Sequence, residues 1–254
     1  MRRRTAPGRR LGGAAPRRCP PARLGRLVAA SALMAAPLGC VYFNGLYNAG
    51  RAYEDAERAR LAGQDSLAEA GYRRALAGAQ RSYDRDPQGR WSDDALYLLG
   101  RARLRAGDLA GAREALERAR SASTGRDVRL GATMYLGAIA LERGERGGIE
   151  LLDFALAGLG RGAVRGEGHL LRARHLLGLG EAALGWAELE RARLEDRSLA
   201  VPAALEWLSS GVGARDEARS LEAMAALLAE PAAALRADTI EALALRHAEL
   251  GGSG

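Results

Sequence analysis

The sequence predicts an all-α solenoid of about four to five stacked helical hairpins, closed by a C-terminal capping helix. Three observations point there. Of the 254 residues, 48% are hydrophobic but only 5% aromatic; the apolar content is mostly alanine and leucine, strong helix formers, and β-branched strand formers are scarce. A turn signature, glycine followed by an acid or amide, recurs at Gly63-Gln64, Gly107-Asp108, Gly144-Glu145 and Gly180-Glu181, with glycine spacings of 44, 37 and 36. Each turn lies between segments of helical periodicity, and glycine is the default residue for the left-handed cap that ends one helix before an antiparallel partner.

The first 39 residues stand apart. They carry nine of the 38 arginines and no acid, so the net charge of +7 belongs to this leader; the other 29 arginines face all 31 acids, and the chain beyond the leader has a net charge of −2. A basic surface for nucleic acid therefore loses its support. The leader runs from an arginine-, proline- and glycine-rich start (1–26) through an apolar run (27–38) to Gly39-Cys40, the layout of a secretory signal. With Cys40 directly after the small Gly39, it resembles the lipobox of bacterial lipoproteins, although Pro37 stands where that family usually has leucine. The resemblance implies cleavage after Gly39, diacylglycerol on Cys40, and a lipid-anchored protein of the cell envelope. An uncleaved signal anchor and an ordinary cleaved signal are the alternatives. The first falls short of the ~20 residues a membrane span needs. The expected organisation is a signal peptide at 1–39, a helical domain at 40–250 and a flexible tail at 251–254.

The next segment concentrates aromatics: Tyr42, Phe43, Tyr47 and Tyr53 are four of the chain's twelve. The segment reads either as an aromatic collar at lipid headgroup level or, as favoured here, with Phe43, Leu46, Tyr47 and Tyr53 as the apolar face of a first helix that caps the solenoid and Gly50 admitting a neighbour. The hairpin around Gly63 follows, with Ala68, Tyr72 and Ala75 on its second helix. Asp86-Pro87 ends that helix, and Ser92-Asp93-Asp94 offers an N-cap and first-turn acids for the next. In the second unit Leu96, Leu99 and Gly100 precede the turn at Gly107, and Ala112, Leu116 and Ala119 follow it. The third unit repeats Leu136-Gly137 and Gly144, but Asp153 falls where an apolar residue is expected. The fourth keeps Leu189 and Ala192 after Gly180. A weaker fifth turn is read at Gly213, between helices at 201–209 and 214–230, and Pro231 opens a last helix to about Leu250.

These small and large residues at a two-helix period resemble the tetratricopeptide repeat across roughly 47–195. An unrelated helical bundle is the alternative. The resemblance implies a concave groove lined by the first helix of each hairpin. Position by position it carries to Asp94, Tyr97, Arg101, Leu104 and Arg105 in the second unit, Met134, Ala138, Leu141 and Glu142 in the third, and Leu170, Arg174 and Leu177 in the fourth. It further implies a protein or peptide ligand, and it lacks the lysine/asparagine pattern of chaperone-tail clamps.

No catalytic pattern is expected. The chain has no lysine, which excludes a P-loop lysine and Schiff-base chemistry. Gly178-Leu179-Gly180 formally opens a dinucleotide loop but coincides with a repeat turn and has no strand before it. His169, His175 and His247 lack zinc-ligand spacing; a surface or core-edge place is expected for them. Neither cofactor, metal, nucleic acid nor small-molecule substrate is expected. The combined reading is a lipid-anchored, non-catalytic adaptor, similar to the group that includes the lipoprotein of the outer-membrane β-barrel assembly machinery. Val41 after the cysteine leans towards the outer membrane, facing the periplasm. A self-associating structural envelope protein, or a non-catalytic partner of a cell-wall-degrading enzyme, are the alternatives.

Overall fold

The computed structural model describes residues 44–251. Gly39 and Cys40, with the whole leader, lie outside the described residues, as do Phe43 and 252–254 of the expected tail. Every regular element described is helical. Five antiparallel hairpins follow in order: α1 (44–61) with α2 (Asp65–Arg85), α3 (Ser92–Arg105) with α4 (Leu109–Ala122), α5 (Arg126–Glu142) with α6 (Gly148–Gly158), α7 (Ala163–Gly178) with α8 (Ala182–Glu195), and α9 (Ala200–Ala214) with α10 (Glu217–Leu228). A 3-10 turn, Pro231–Arg236, then leads into the capping helix α11 (Ala237–Gly251). Pro231 therefore opens this turn, and α11 starts six residues later than expected.

All hairpin turns share one hydrogen-bonding scheme. At Gly63 the Gln64 N–H reaches back to the Ala59 carbonyl (2.9 Å) and the Gly63 N–H to that of Arg60 (3.0 Å). The same pair of bonds recurs at Gly107, Gly144 and Gly180, and all four glycines are left-handed. This is the Schellman motif, which satisfies carbonyls orphaned by a helix end. The fifth turn corrects the sequence reading. Gly213 lies inside α9, and the left-handed residue is Arg215 (φ 55°), with the Asp216 N–H bonded to the Gly211 carbonyl at 2.9 Å. The search for a glycine missed it because an arginine adopts the left-handed conformation here. Asp108 and Asp216, each next after a left-handed residue, cap α4 and α10 by accepting from Gly111 N and Arg219 N.

Helix partners within a hairpin approach through small residues. A Cβ built on Gly100 of α3 would lie 2.6 Å from Leu116 Cγ of α4, and on Gly137 of α5 2.8 Å from the Gly148 carbonyl and 2.9 Å from Leu152 N of α6. Leu116 and Leu152 are fully buried. They are equivalent, yet Leu152 comes one residue earlier relative to its turn glycine. The α5–α6 connection contains a second left-handed glycine, Gly147, and α6 starts in a shifted register. Leu152 thus takes the slot expected at Asp153, which is exposed and pairs with Arg172 (2.8 Å) on α7. In the first hairpin Gly50 has nothing near it; Gly71 and Gly78 of α2 meet Ala56 and Ala49 of α1 instead. Tyr53 is buried in the seam as expected, but Tyr47 is exposed. Ser92 is the first residue of α3 and Trp91 its N-cap.

Apolar burial falls into three clusters: α1–α4, then α3–α6, then α7 to the cap. His169 is not at a surface. It is buried on α7 with Nδ1 2.6 Å from Oε2 of the buried Glu188 on α8, which also binds Arg172 (2.8 Å) and Arg191. The cap folds back on the first hairpin, where Arg236 Nη1 donates to the Arg60 carbonyl (3.1 Å) beside Gly63.

The two glycine assignments have opposite consequences. Gly213→Ala places a methyl in open space within a helix and is expected to stabilise the protein by about 0.5–1 kcal/mol. Gly137→Ala drives a methyl into backbone and is expected to cost about 1–3 kcal/mol. Urea midpoints measure both; a loss of stability in Gly213→Ala would return the turn to that glycine.

Candidate functional site

The first helices of successive hairpins present equivalent residues at fixed distances before the turn. Ten residues before the turn glycine stand Tyr53, Tyr97, Met134 and Leu170; six before it stand Glu57, Arg101, Ala138 and Arg174. Because the turns share one geometry, these positions are equivalent from hairpin to hairpin. Helices α1, α3 and α7 enclose a cavity of about 290 Å³. Tyr53, Glu57, Arg60 and Leu61 come from α1, Arg101 and Arg105 from α3, and Glu167, Leu170, Leu171 and Arg174 from α7.

Arg105 sits between two carboxylates. Its Nε donates to Glu57 Oε1 (2.7 Å) and its Nη2 to Glu57 Oε2 (3.2 Å), while Nη2 also donates to Glu167 Oε1. Both acids have further donors. The Tyr135 hydroxyl of α5 donates to Glu167 Oε2 at 2.6 Å, the Tyr72 hydroxyl of α2 to Glu57 Oε1 at 2.7 Å, and Arg60 Nη2 to Glu57 Oε2 at 2.8 Å. Burial alone would raise the Glu57 pKa, but Arg105, helped by Arg60 and Tyr72, overrides it and holds the acid at about 2.

Arg101 is treated differently. It forms no ion pair or hydrogen bond with the described residues. Its guanidinium carbon instead lies 4.3 Å from the Tyr53 ring centre and 5.5 Å from those of Tyr97 and Tyr135, within cation–π range. Its Nε and the Tyr53 hydroxyl are buried without a hydrogen-bond partner. Tyr53 itself is only 2% exposed, and burial pushes its phenol pKa upward, so the hydroxyl keeps its proton. A donor left unpaired in this way costs on the order of 1–3 kcal/mol.

Of the residues expected in a groove, the structure brings Arg101, Arg105, Leu170 and Arg174 to this cavity. Tyr97 backs Arg101 from behind, and Asp94 lies half-buried in the first turn of α3. Met134 is fully buried, and Leu104, Leu141 and Leu177 pack into the seams between helices. Met134 is a correction, because close packing of its neighbours closes over it; Leu104, Leu141 and Leu177 are half-buried and lie outside this cavity's lining. Arg105 lines the cavity but is committed to Glu57 and Glu167, and the exposed Arg174 is paired with Glu206. The missed residues were legible. The offsets that yield Tyr97, Arg101 and Leu104 in the second hairpin yield Tyr53, Glu57 and Arg60 in the first, and the Asp94 offset yields Glu167 in the fourth. Among the described residues no group of three or more His, Cys, Asp or Glu could hold a metal ion.

The fold and cavity define a helical-hairpin solenoid whose inner site combines charged and apolar side chains. No protein-family model and no curated protein matches the chain. Among solved structures, the chain is similar to the TPR2AB domain of yeast Sti1 in its pHSP90 complex, with 13% identity over 83% of this chain and 99% of that one and a TM-score of 0.35. At that overlap neither register nor ligand carries over.

The depressed Glu57 pKa sets a pH dependence. Unfolding returns the group to its ordinary 4.5, so its contribution is complete above that value. It is lost as pH falls from about 4.5 towards about 2. Glu57→Gln, which leaves Arg105 with one carboxylate, is expected to cost about 3 kcal/mol at neutral pH and to flatten the acid limb of stability measured by urea unfolding across pH.

Proposed function

We propose that this protein is a non-catalytic adaptor that docks a segment of another protein in the α1–α3–α7 cavity. The observation that carries the reading is convergence: equivalent positions on separate hairpins meet in one cavity. Glu57 stays ionised, the arginines stay charged, and Tyr53 stays protonated. Groups that do not exchange protons near neutral pH suit binding better than general acid–base catalysis. The apolar lining from Leu61, Leu170 and Leu171 adds contact area around them.

The leader supports a location. With residues 1–39 removed and Cys40 diacylated, the adaptor would be tethered in the cell envelope, on the periplasmic face of the outer membrane. One acyl chain binds only reversibly, whereas two or more anchor stably, at about 0.8 kcal/mol per buried methylene. No described helix is long and apolar enough to cross a membrane, so attachment in this reading falls to the lipid.

Two measurements test it. A photo-crosslinker at Leu171 is expected to recover the same partner repeatedly, and Arg101→Glu to lose it while the helical circular dichroism is retained. Cys40→Ser is expected to move the protein from the membrane to the soluble fraction. An unchanged crosslinked set in Arg101→Glu would remove the docking assignment; unchanged fractionation of Cys40→Ser would remove the anchor.

A further inference from the structure

Two residues that line the docking cavity each carry a buried donor without a partner among the described residues, and they are in contact with each other. Arg101 Nε and the Tyr53 hydroxyl are both unpartnered, and both residues line the cavity. Three tyrosine rings surround the Arg101 guanidinium. A guanidinium stacked on rings has its faces occupied and keeps its N–H edge for a ligand lying in its own plane.

Charge narrows the ligand further. Of the arginines that line the cavity, Arg60 and Arg105 bind Glu57, Arg58 pairs with Asp55 and Arg174 with Glu206. Arg101 has no carboxylate partner among the described residues, so an anion in the cavity has this guanidinium to meet. A carboxylate is planar and can take two parallel N–H bonds from a guanidinium edge. Size then selects how it is presented. About 290 Å³ is at the lower end of small-molecule pockets, and the remaining wall, from Val164, Leu170 and Leu199, is apolar. A length of backbone drawn in there would bring amides with nothing to bond to. A single side chain entering from a segment that runs over the mouth would not.

We infer that the cavity is a receptor for one acidic side chain, glutamate or aspartate, of the partner protein, held by the Arg101 guanidinium edge and the Tyr53 hydroxyl. The inference rests on the docking reading and names the chemistry that the partner must bring. Arg105 has no direct share in it, since its Nε and Nη2 are already bonded to Glu57 and Glu167.

The test uses short alanine peptides blocked at both ends and carrying a central glutamate. Their controls are the same peptide with glutamine, and an unsubstituted alanine peptide with a free C-terminal carboxylate. Binding is followed by NMR on the full mature chain through the arginine Nε–H resonance that Arg101→Lys removes. The glutamate peptide is expected to shift that resonance saturably and the glutamine peptide to leave it in place. Tyr53→Phe, which keeps the ring over Arg101, is expected to weaken binding at least about tenfold. Equal or stronger binding of the free-terminus peptide would overturn the side-chain assignment. Equal response to glutamate and glutamine, or none to either, would overturn the carboxylate site. The two readings fail separately. A glutamate-specific shift with no reproducible crosslinked partner sinks the adaptor and leaves the site; a reproducible partner with no glutamate preference does the reverse.

Discussion

Arg105 reaches from α3 to Glu57 on α1 and to Glu167 on α7, and with Tyr135 bonded to the same Glu167 it joins the first helices of four hairpins. The apolar seams act between neighbouring helices and leave the inner side of the stack without any constraint of its own. A half-buried guanidinium between two half-buried carboxylates supplies one, because each charge requires the others. Two acids without Arg105 would be like charges with little water to separate them, and Arg105 without either acid would be an uncompensated cation. The curvature that forms the cavity is thus tied to an interaction whose partners lie 48 and 62 residues from Arg105 in the chain.

A second constraint follows from the first. Drawing the inner helices together brings Tyr53, Tyr97 and Tyr135 around Arg101, which has no acid to meet. Cation–π contact at this range offsets only a fraction of the cost of desolvating an arginine. The remainder persists as unpaired donors in the cavity wall. The Arg105 clip is therefore a structural device, and Arg101 is the group left available beside it. At the other end of the stack, Arg236 binding the Arg60 carbonyl brings the cap to the first turn, so the residue that steadies Glu57 is itself held by the last segment of the chain.

Much of this fold was legible before the structure. The hairpins, the four left-handed glycines, the close approach at Gly100 and the end of α2 before Pro87 all follow from local chemistry. The misreadings have separate causes. Arg215 takes a turn that a glycine was expected to take. Gly147 shifts α6 by one residue, so that Leu152 and not Asp153 meets Gly137. Met134 sits at a groove position by count but is covered by neighbouring helices. Tyr53, Glu57 and Glu167 were within reach of the same offsets that located Arg101.

Sequence alone determined the elements and their order, because helix propensity, caps and left-handed turns act over a few residues and leave a repeating trace. It also assigned Arg101 and Arg105 to one face. Only the tertiary structure decided that one of these arginines is neutralised and the other is not. That outcome depends on where Glu57, Glu167 and three tyrosines arrive once the hairpins stack, and Coulomb and ring contacts across separate hairpins have no counterpart in local sequence pattern.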